Sequence, residues 1–269
     1  MTIIPRLASR TFFRVRVGIL LAVLGFVLLW AWRDVRSRRG RNAWDRPLSV
    51  AIVLVRHGQL DGNAVGAFRK RIASLESRVT DEFQRYRPGP MHPFVFTFAG
   101  PVDVAESPPK ASGDGVFDAV KHSWELWRWT ARVDRDAALV TSVFDSRIYV
   151  VARLPVNARQ LFIEGESEEG GRIGTVEVEL DASMADFALF VTAHELFHTV
   201  GASDKYDAAG RTLVPEGLAE PERVPLYPQR FAEVMARNRP LAPGIEEPPA
   251  DLNELAVGPA TAQEIGWLR

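Results

Sequence analysis

Between Ala182 and Val200 a helix would carry Phe187, Leu189, Phe190, Val191, Leu196, Phe197 and Val200 around almost its whole circumference. A helix apolar on every side belongs inside a protein, so this segment is expected at the centre of a fold with layers on both sides of it. Into that helix the chain sets three ionisable residues, His194, Glu195 and His198. Buried without partners, they would cost several kcal/mol. Whatever surrounds the helix must therefore satisfy them. Ser183, three residues ahead of Asp186, has the form of a capping box at the helix start.

The segments ahead of this helix read as a sheet with helices upon it. Leu48 to Val55 is a short apolar, β-branched run of the kind found in a buried strand. Phe68, Ile72, Leu75, Val79 and Phe83 recur at helical spacing within Gly66 to Tyr86. Pro93 to Phe98 follows as a strand, Gly100 to Gly115 as a Pro/Gly/Ser-rich loop, and Val116 to Val133 as a helix. That last helix holds Trp124, Trp127 and Trp129, all expected in a core or an interface. Strands are expected at Arg147 to Leu154, Gln160 to Glu164 and Arg172 to Leu180, the last two joined by an acidic turn over Gly165 to Gly171. Beyond the buried helix, 202 to 259 is irregular and proline-rich, and so long a connection is usually functional. The fold class is α/β (α+β): a mixed sheet packed on a buried helix, with an irregular Pro-rich C-terminal subdomain.

The N-terminus obeys different rules. Arg6, Arg10, Arg14 and Arg16 precede an uninterrupted apolar run from Val17 to Trp32, and six arginines follow between Arg33 and Arg46. Snorkelling arginines and interfacial Trp30 and Trp32 suit a single transmembrane signal anchor. The bulky, basic segment after the run lacks the small residues of a cleavage site. The expected organisation is a basic flank over 1–16, an anchor over 17–32, a basic linker over 33–47 and one domain over 48–269, divided at 201/202. The two flanks differ little in charge, the C-terminal one being slightly more basic; the domain is expected on the extracytoplasmic side.

On a helix, His194 and His198 project from one face a turn apart, and both imidazoles can reach one zinc ion. Glu195 is aimed aside from them, placed for a general base acting on water. Gly201 can take the left-handed conformation that ends a helix, and Asp204 then offers a third ligand, leaving a fourth position open as in a catalytic site. His194-Glu195-x-x-His198-x-x-Gly201-x-x-Asp204 resembles the metzincin zinc endopeptidases, in the form with an aspartate ligand seen in the snapalysins. The resemblance covers roughly the last third of the chain. It implies a methionine turn beneath the metal, for which Met235 stands at a suitable distance, and peptide-bond hydrolysis with Glu195 as base. Where many metzincins carry a tyrosine two residues after that methionine, this chain has Arg237, and Tyr206 is the alternative polar assistant. The strand Arg172 to Leu180 is a candidate edge for an extended protein or peptide substrate.

Other assignments compete for the same residues. Asp207 rivals Asp204 as third ligand, and Glu216 or Glu220 would instead make the site gluzincin-like. A catalytically silent relative could use the fold to bind zinc and peptides. Leu54-Val-Arg56-His57-Gly58-Gln59, with Asn63, is similar to the histidine phosphatase signature, but Leu60 stands where a serine or threonine is usual and no later histidine is followed by glycine. Glu164, Glu166, Glu168 and Glu169 are read as a solvated turn rather than a calcium site. The formal net charge of −1 argues against a nucleic-acid partner. With no cysteine, the chain has no disulfide, no thiolate metal site and no thiol latency switch.

Overall fold

The computed structural model describes residues 7–110, 113, 115–155, 163–167 and 170–268. The chain divides into two units, Met1–Ala43 and Trp44–Arg269.

The first unit is built on one helix, α1 (Leu7–Arg41). Its stretch Phe12–Arg33, 22 residues, is long and apolar enough to cross a membrane. At 1.5 Å per residue it spans about 33 Å, against ~30 Å of bilayer hydrocarbon. The expected anchor over 17–32 lies inside it. Within the expected linker over 33–47 the helix α1 continues to Arg41, a stretch rich in arginine, which favours helix.

The second unit begins with Trp44, earlier than the expected 48. Trp44 is buried, its Nε1 donates to the Ile265 carbonyl at 2.7 Å, and its ring meets Phe94 and Trp267 edge-on at 5.5 and 5.7 Å. The elements that follow are β1 (Leu48–Arg56), α2 (Gly62–Tyr86), β2 (Phe94–Asp103), α3 (Val116–Asp136), β3 (Ser146–Arg153), β4 (Ile163–Ser167), β5 (Ile173–Glu179) and α4 (Ala185–Thr199). They form a mixed α/β sheet in the order β2-β1-β3-β5-β4, parallel except for β4, which runs antiparallel at the edge. Both faces are covered, which is why β1 reads as a continuous apolar run. Even-numbered residues of β1, Val50, Ile52 and Leu54, face α2 and α4; odd-numbered Ala51, Val53 and Val55 face Trp129 and Val133 of α3.

Several local expectations change. β2 runs on to Asp103 through Gly100 and Pro101, taking the start of the expected loop; an edge strand tolerates proline, and the register slips opposite Val53 and Val55. The strand expected over Gln160 to Glu164 appears as Ile163–Ser167, with 160–162 outside the described residues. Gly165 to Ser167 is thus strand, not turn, and Glu168 and Glu169 lie outside the described residues. The strand expected as a substrate edge, observed as β5, is covered by β4. Ser183 does not cap the buried helix: Asp181 caps the short 3-10 turn Ala182–Met184 that leads into it, accepting from Ser183 N and Met184 N at 2.7 and 3.1 Å, and Asp186 pairs with Arg71 of α2. The Asp181 carboxylate, two residues upstream, opens the turn one step earlier, so the Ser183 hydroxyl is spent on that carboxylate. Of the three tryptophans on α3, Trp129 alone is buried.

The C-terminal subdomain has little regular structure: β6 (Ala232–Glu233), β7 (Arg239–Ala242), β8 (Ile245–Glu247), β9 (Leu255–Ala256) and α5 (Pro259–Glu264). β6 pairs with β9, and β7 with β8. Trp267, just after α5, meets Phe83 of α2 and Phe197 of α4 edge-on at 5.2 and 5.5 Å, so the chain end is packed into the main core.

Candidate metal centre

His194, Glu195 and His198 are all buried on the last two turns of α4. The helix ends at Gly201, whose φ of 96° lies in the left-handed region that favours glycine. The reversal returns the Ala202 carbonyl to His198 Nδ1 at 2.8 Å. His194 Nδ1 meets the Val234 carbonyl at 2.9 Å. A carbonyl can only accept, so both Nδ1 atoms carry the proton and both Nε2 atoms of the neutral rings present bare lone pairs.

Those lone pairs converge. Asp204 Oδ1 lies 3.2 Å from His194 Nε2 and 3.2 Å from His198 Nε2. Two lone pairs facing a carboxylate oxygen repel it unless a cation stands among them or both rings take a second proton. Burial opposes ionisation of Asp204, but with the rings protonated their hydrogen bonds and positive charge outweigh it and hold the carboxyl well below its usual range. The donor set of two nitrogens and one oxygen, each histidine held by a backbone carbonyl, fits a divalent metal. The nearby group His194, Glu195 and His198 brings its ligand atoms within 4.8 Å of one another. Asp204 is the nearer third oxygen, because Glu195 Oε1 stands 4.0 Å from His194 Nε2.

The rivals to Asp204 are otherwise engaged. Asp207 caps its own turn, accepting from Ala209 N and Arg211 N and pairing with the Arg211 side chain. Glu220 is paired with Arg230 and Arg223, and Glu216 is exposed.

Glu195 is held from the sheet. Ser167 of β4 donates its hydroxyl to Glu195 Oε2 at 2.5 Å. Gly165, two residues back on the same face of β4, approaches so closely that a Cβ there would overlap Glu195 Oε1. At Gly174 of β5 a Cβ would come within 2.5 Å of Ser167 Oγ. Three small positions on two strands thus make room for one carboxylate. Burial pushes the Glu195 carboxyl above its usual value, against the pull of His194 and of the Ser167 hydrogen bond. Gly165 and Ser167 were missed as site residues in the sequence; their one signal is the small-residue alternation Gly165-x-Ser167, which becomes meaningful only once β4 is paired with β5.

Met235 is fully buried in a tight turn between β6 and Arg237, and its carbonyl accepts from Lys205 N at 2.9 Å. The turn is clamped by Glu233, wholly buried, whose carboxylate accepts from Met235 N at 2.6 Å and Gly258 N at 3.2 Å. Val234, which holds His194, lies in this same turn. Lys205, buried beside Asp204, donates to Glu264 of α5 at 2.6 Å, and Glu264 in turn accepts from Ser203. Neither Glu233 nor the Lys205–Glu264 pair was singled out in the sequence, since each is one charge among many until the chain folds back.

Tyr206 stacks on His194, ring centroids 6.1 Å apart, beneath the guanidinium of Arg237. Burial and the neighbouring Asp204 push its phenol up to about 12, so it stays protonated at neutral pH. Arg237 has a φ of 71°, strained for a non-glycine residue. An open cavity of about 620 Å3 adjoins these groups, lined by His194, Glu195, Tyr206 and Arg237, with Phe187, Phe190 and Val191 as an apolar wall.

Arg56 and His57 lie elsewhere, at the end of β1. Arg56 forms a two-pronged pair with Asp103 of β2, and the His57 amide continues the sheet to Ala152. His92 rests against Thr80 at 3.2 Å. The comparisons with known proteins add no name to this site: no protein-family model matches the chain, and no curated protein matches it.

Proposed function

We propose that the Trp44–Arg269 unit is a zinc-dependent endopeptidase of metzincin type. The observation that carries this reading is the convergence of two histidine Nε2 atoms and Asp204 Oδ1, with both Nδ1 protons committed to backbone carbonyls. His194, His198 and Asp204 would hold the ion. When bound, zinc supplies Lewis-acid polarisation of a carbonyl and acidification of water.

The chain's own groups do the rest. Glu195, held at Oε2 by Ser167, keeps Oε1 available to take a proton from the attacking water and return it to the leaving amine. Its raised pKa suits that exchange, because a base poised nearer neutrality both accepts and releases protons. Tyr206, protonated at neutral pH, can donate to a developing oxyanion. β4 is the sheet edge beside Glu195, so an extended peptide can add to it as a further strand, with one side chain against Phe187, Phe190 and Val191. α1 would carry this activity at a membrane, with the domain on the extracytoplasmic side.

The test is metal content and peptide cleavage on the same full-length preparation in detergent. Wild type should hold one zinc per chain and cleave members of a mixed peptide pool. Glu195→Gln should keep the zinc and lose at least about 10²-fold in rate, the usual contribution of a general base. Bound zinc with an unchanged rate in Glu195→Gln removes the proposal.

A further inference from the structure

α3 carries two apolar faces, and the core uses one of them. Its buried residues are Trp129, Thr130, Val133 and Asp134, all in its second half, and Trp129 meets Tyr149 of β3 edge-on at 5.5 Å. On the other side Val116, Phe117, Val120, Trp124 and Trp127 are 80%, 91%, 64%, 54% and 63% exposed. At 3.6 residues per turn these five fall within about 100° of arc, a continuous apolar stripe. Lys121, Arg128 and Arg135, all exposed, border it, and the Arg128 guanidinium lies 4.7 Å from the Trp124 ring centroid. Among the described residues nothing covers the stripe. A soluble surface rarely leaves so much aromatic area in water without an occupant.

Which occupant is indicated by the chain itself. α1 has the length and composition to cross a bilayer and ends at Arg41; the second unit starts at Trp44. Beyond the span, which ends at Arg33, the helix runs on for about 12 Å to Arg41, and the three residue steps to Trp44 add at most about 11 Å, at ~3.3–3.6 Å per residue. A domain so tethered stays at the lipid surface. There tryptophan beside apolar residues, with arginine and lysine along one border, is the composition of a helix lying in the interface.

We propose that α3 is an in-plane membrane-docking helix whose Val116–Trp127 stripe inserts into the lipid surface to which α1 anchors the chain. The proposal rests on α1 spanning a bilayer and is independent of the chemistry at His194. Docking would hold the domain in one orientation to the membrane and confine its cleft to substrates at a fixed height above the lipid.

The chain has no cysteine, so single spin labels can be placed at will. Full-length Phe117→Cys, Trp124→Cys, Val224→Cys and Gly25→Cys would be labelled and reconstituted in vesicles of phosphatidylcholine and phosphatidylglycerol. Val224 is 93% exposed in the C-terminal subdomain, and a side chain at Gly25 meets nothing within 4 Å. Accessibility to oxygen, which partitions into lipid, is compared with accessibility to a water-soluble nickel complex. The oxygen-to-nickel ratio at 117 and 124 should rise several-fold above that at 224 and approach that at 25. A ratio at 117 equal to that at 224, with the label at 25 immersed, overturns the docking. Shielding of 117 from both reagents overturns it too, since protein then covers the face. An aqueous label at 25 removes the anchor and the docking with it.

Discussion

Glu195 is positioned by what its neighbours lack. Gly165 of β4 leaves the space that Oε1 occupies, and Ser167, one pleat further along, supplies the hydroxyl on Oε2. Gly165→Ala therefore tests positioning separately from metal binding. The added methyl must displace the Glu195 carboxylate, and a displacement near 1 Å is enough to cost about 10²-fold in rate. The expected outcome is a variant with wild-type zinc content and a kcat/KM lower by roughly that factor, measured on whichever peptide the wild type cleaves best. A fall in zinc content would instead mean that the strand had moved as a whole. Asp204 illustrates a second residue-scale point. It is 43% exposed, yet its carboxylate is directed at two buried imidazoles, so exposure alone is a poor guide to which carboxylate belongs to a site.

At the scale of elements, the start of β1 is fixed by a charge. Asp145, just before β3, accepts two hydrogen bonds from Arg46 at 2.7 Å each and one from Ser49 N at 3.0 Å. Burial works against ionisation of Asp145, but the Arg46 guanidinium and the Ser49 amide outweigh it and hold the carboxyl below its usual range. A depressed carboxylate stabilises the fold at pH values above its unfolded pKa of about 3.9, and that stabilisation is lost as pH falls through the folded value. Asp145→Asn should therefore lower stability by about 1 kcal/mol at pH 7, the upper end for a pair whose arginine is largely in water. The difference should shrink towards zero near pH 3. Urea midpoints at the two pH values check this; a gap that persists undiminished at pH 3 would mean that packing, not charge, holds the strand.

On the scale of the whole molecule, the candidate metal centre joins two parts of the domain that share little regular structure. α4 supplies His194 and His198 from the sheet side, whereas Asp204 and the Val234 carbonyl come from the proline-rich segment. An ion at that junction binds the folded chain alone and stabilises it by mass action, about 2.7 kcal/mol at a hundredfold excess over Kd. For a domain of this size each kcal/mol moves Tm by ~2–4 °C, so chelation should lower it by roughly 5–11 °C, reversibly on adding zinc. An identical Tm with and without chelator would show that no ion bridges the junction.

Much of this architecture was legible in local pattern. The continuous apolar run of β1, the 3.6-residue period of α2 and the all-round apolarity of α4 marked these elements nearly to their ends, because burial of one face or of all faces leaves its mark on neighbouring residues. The i, i+4 spacing of His194 and His198 and the glycine at 201 are also local facts, and they were sufficient to bring Asp204 into consideration. What the sequence could not contain is anything decided by pairing across distance. That β4 rather than β5 forms the edge, that Gly165 and Ser167 lie under Glu195, that Glu233 clamps the Met235 turn and that the outer face of α3 is left bare all depend on contacts between residues tens to hundreds of positions apart. A helix or strand carries its own periodicity, but the identity of its neighbour is a property of the folded chain. By itself the sequence determined an apolar N-terminal helix and a buried His-Glu-His helix. Only the tertiary structure decided which carboxylate meets the histidines and which surface remains to be covered, since packing, not propensity, chooses among partners of equal local fitness.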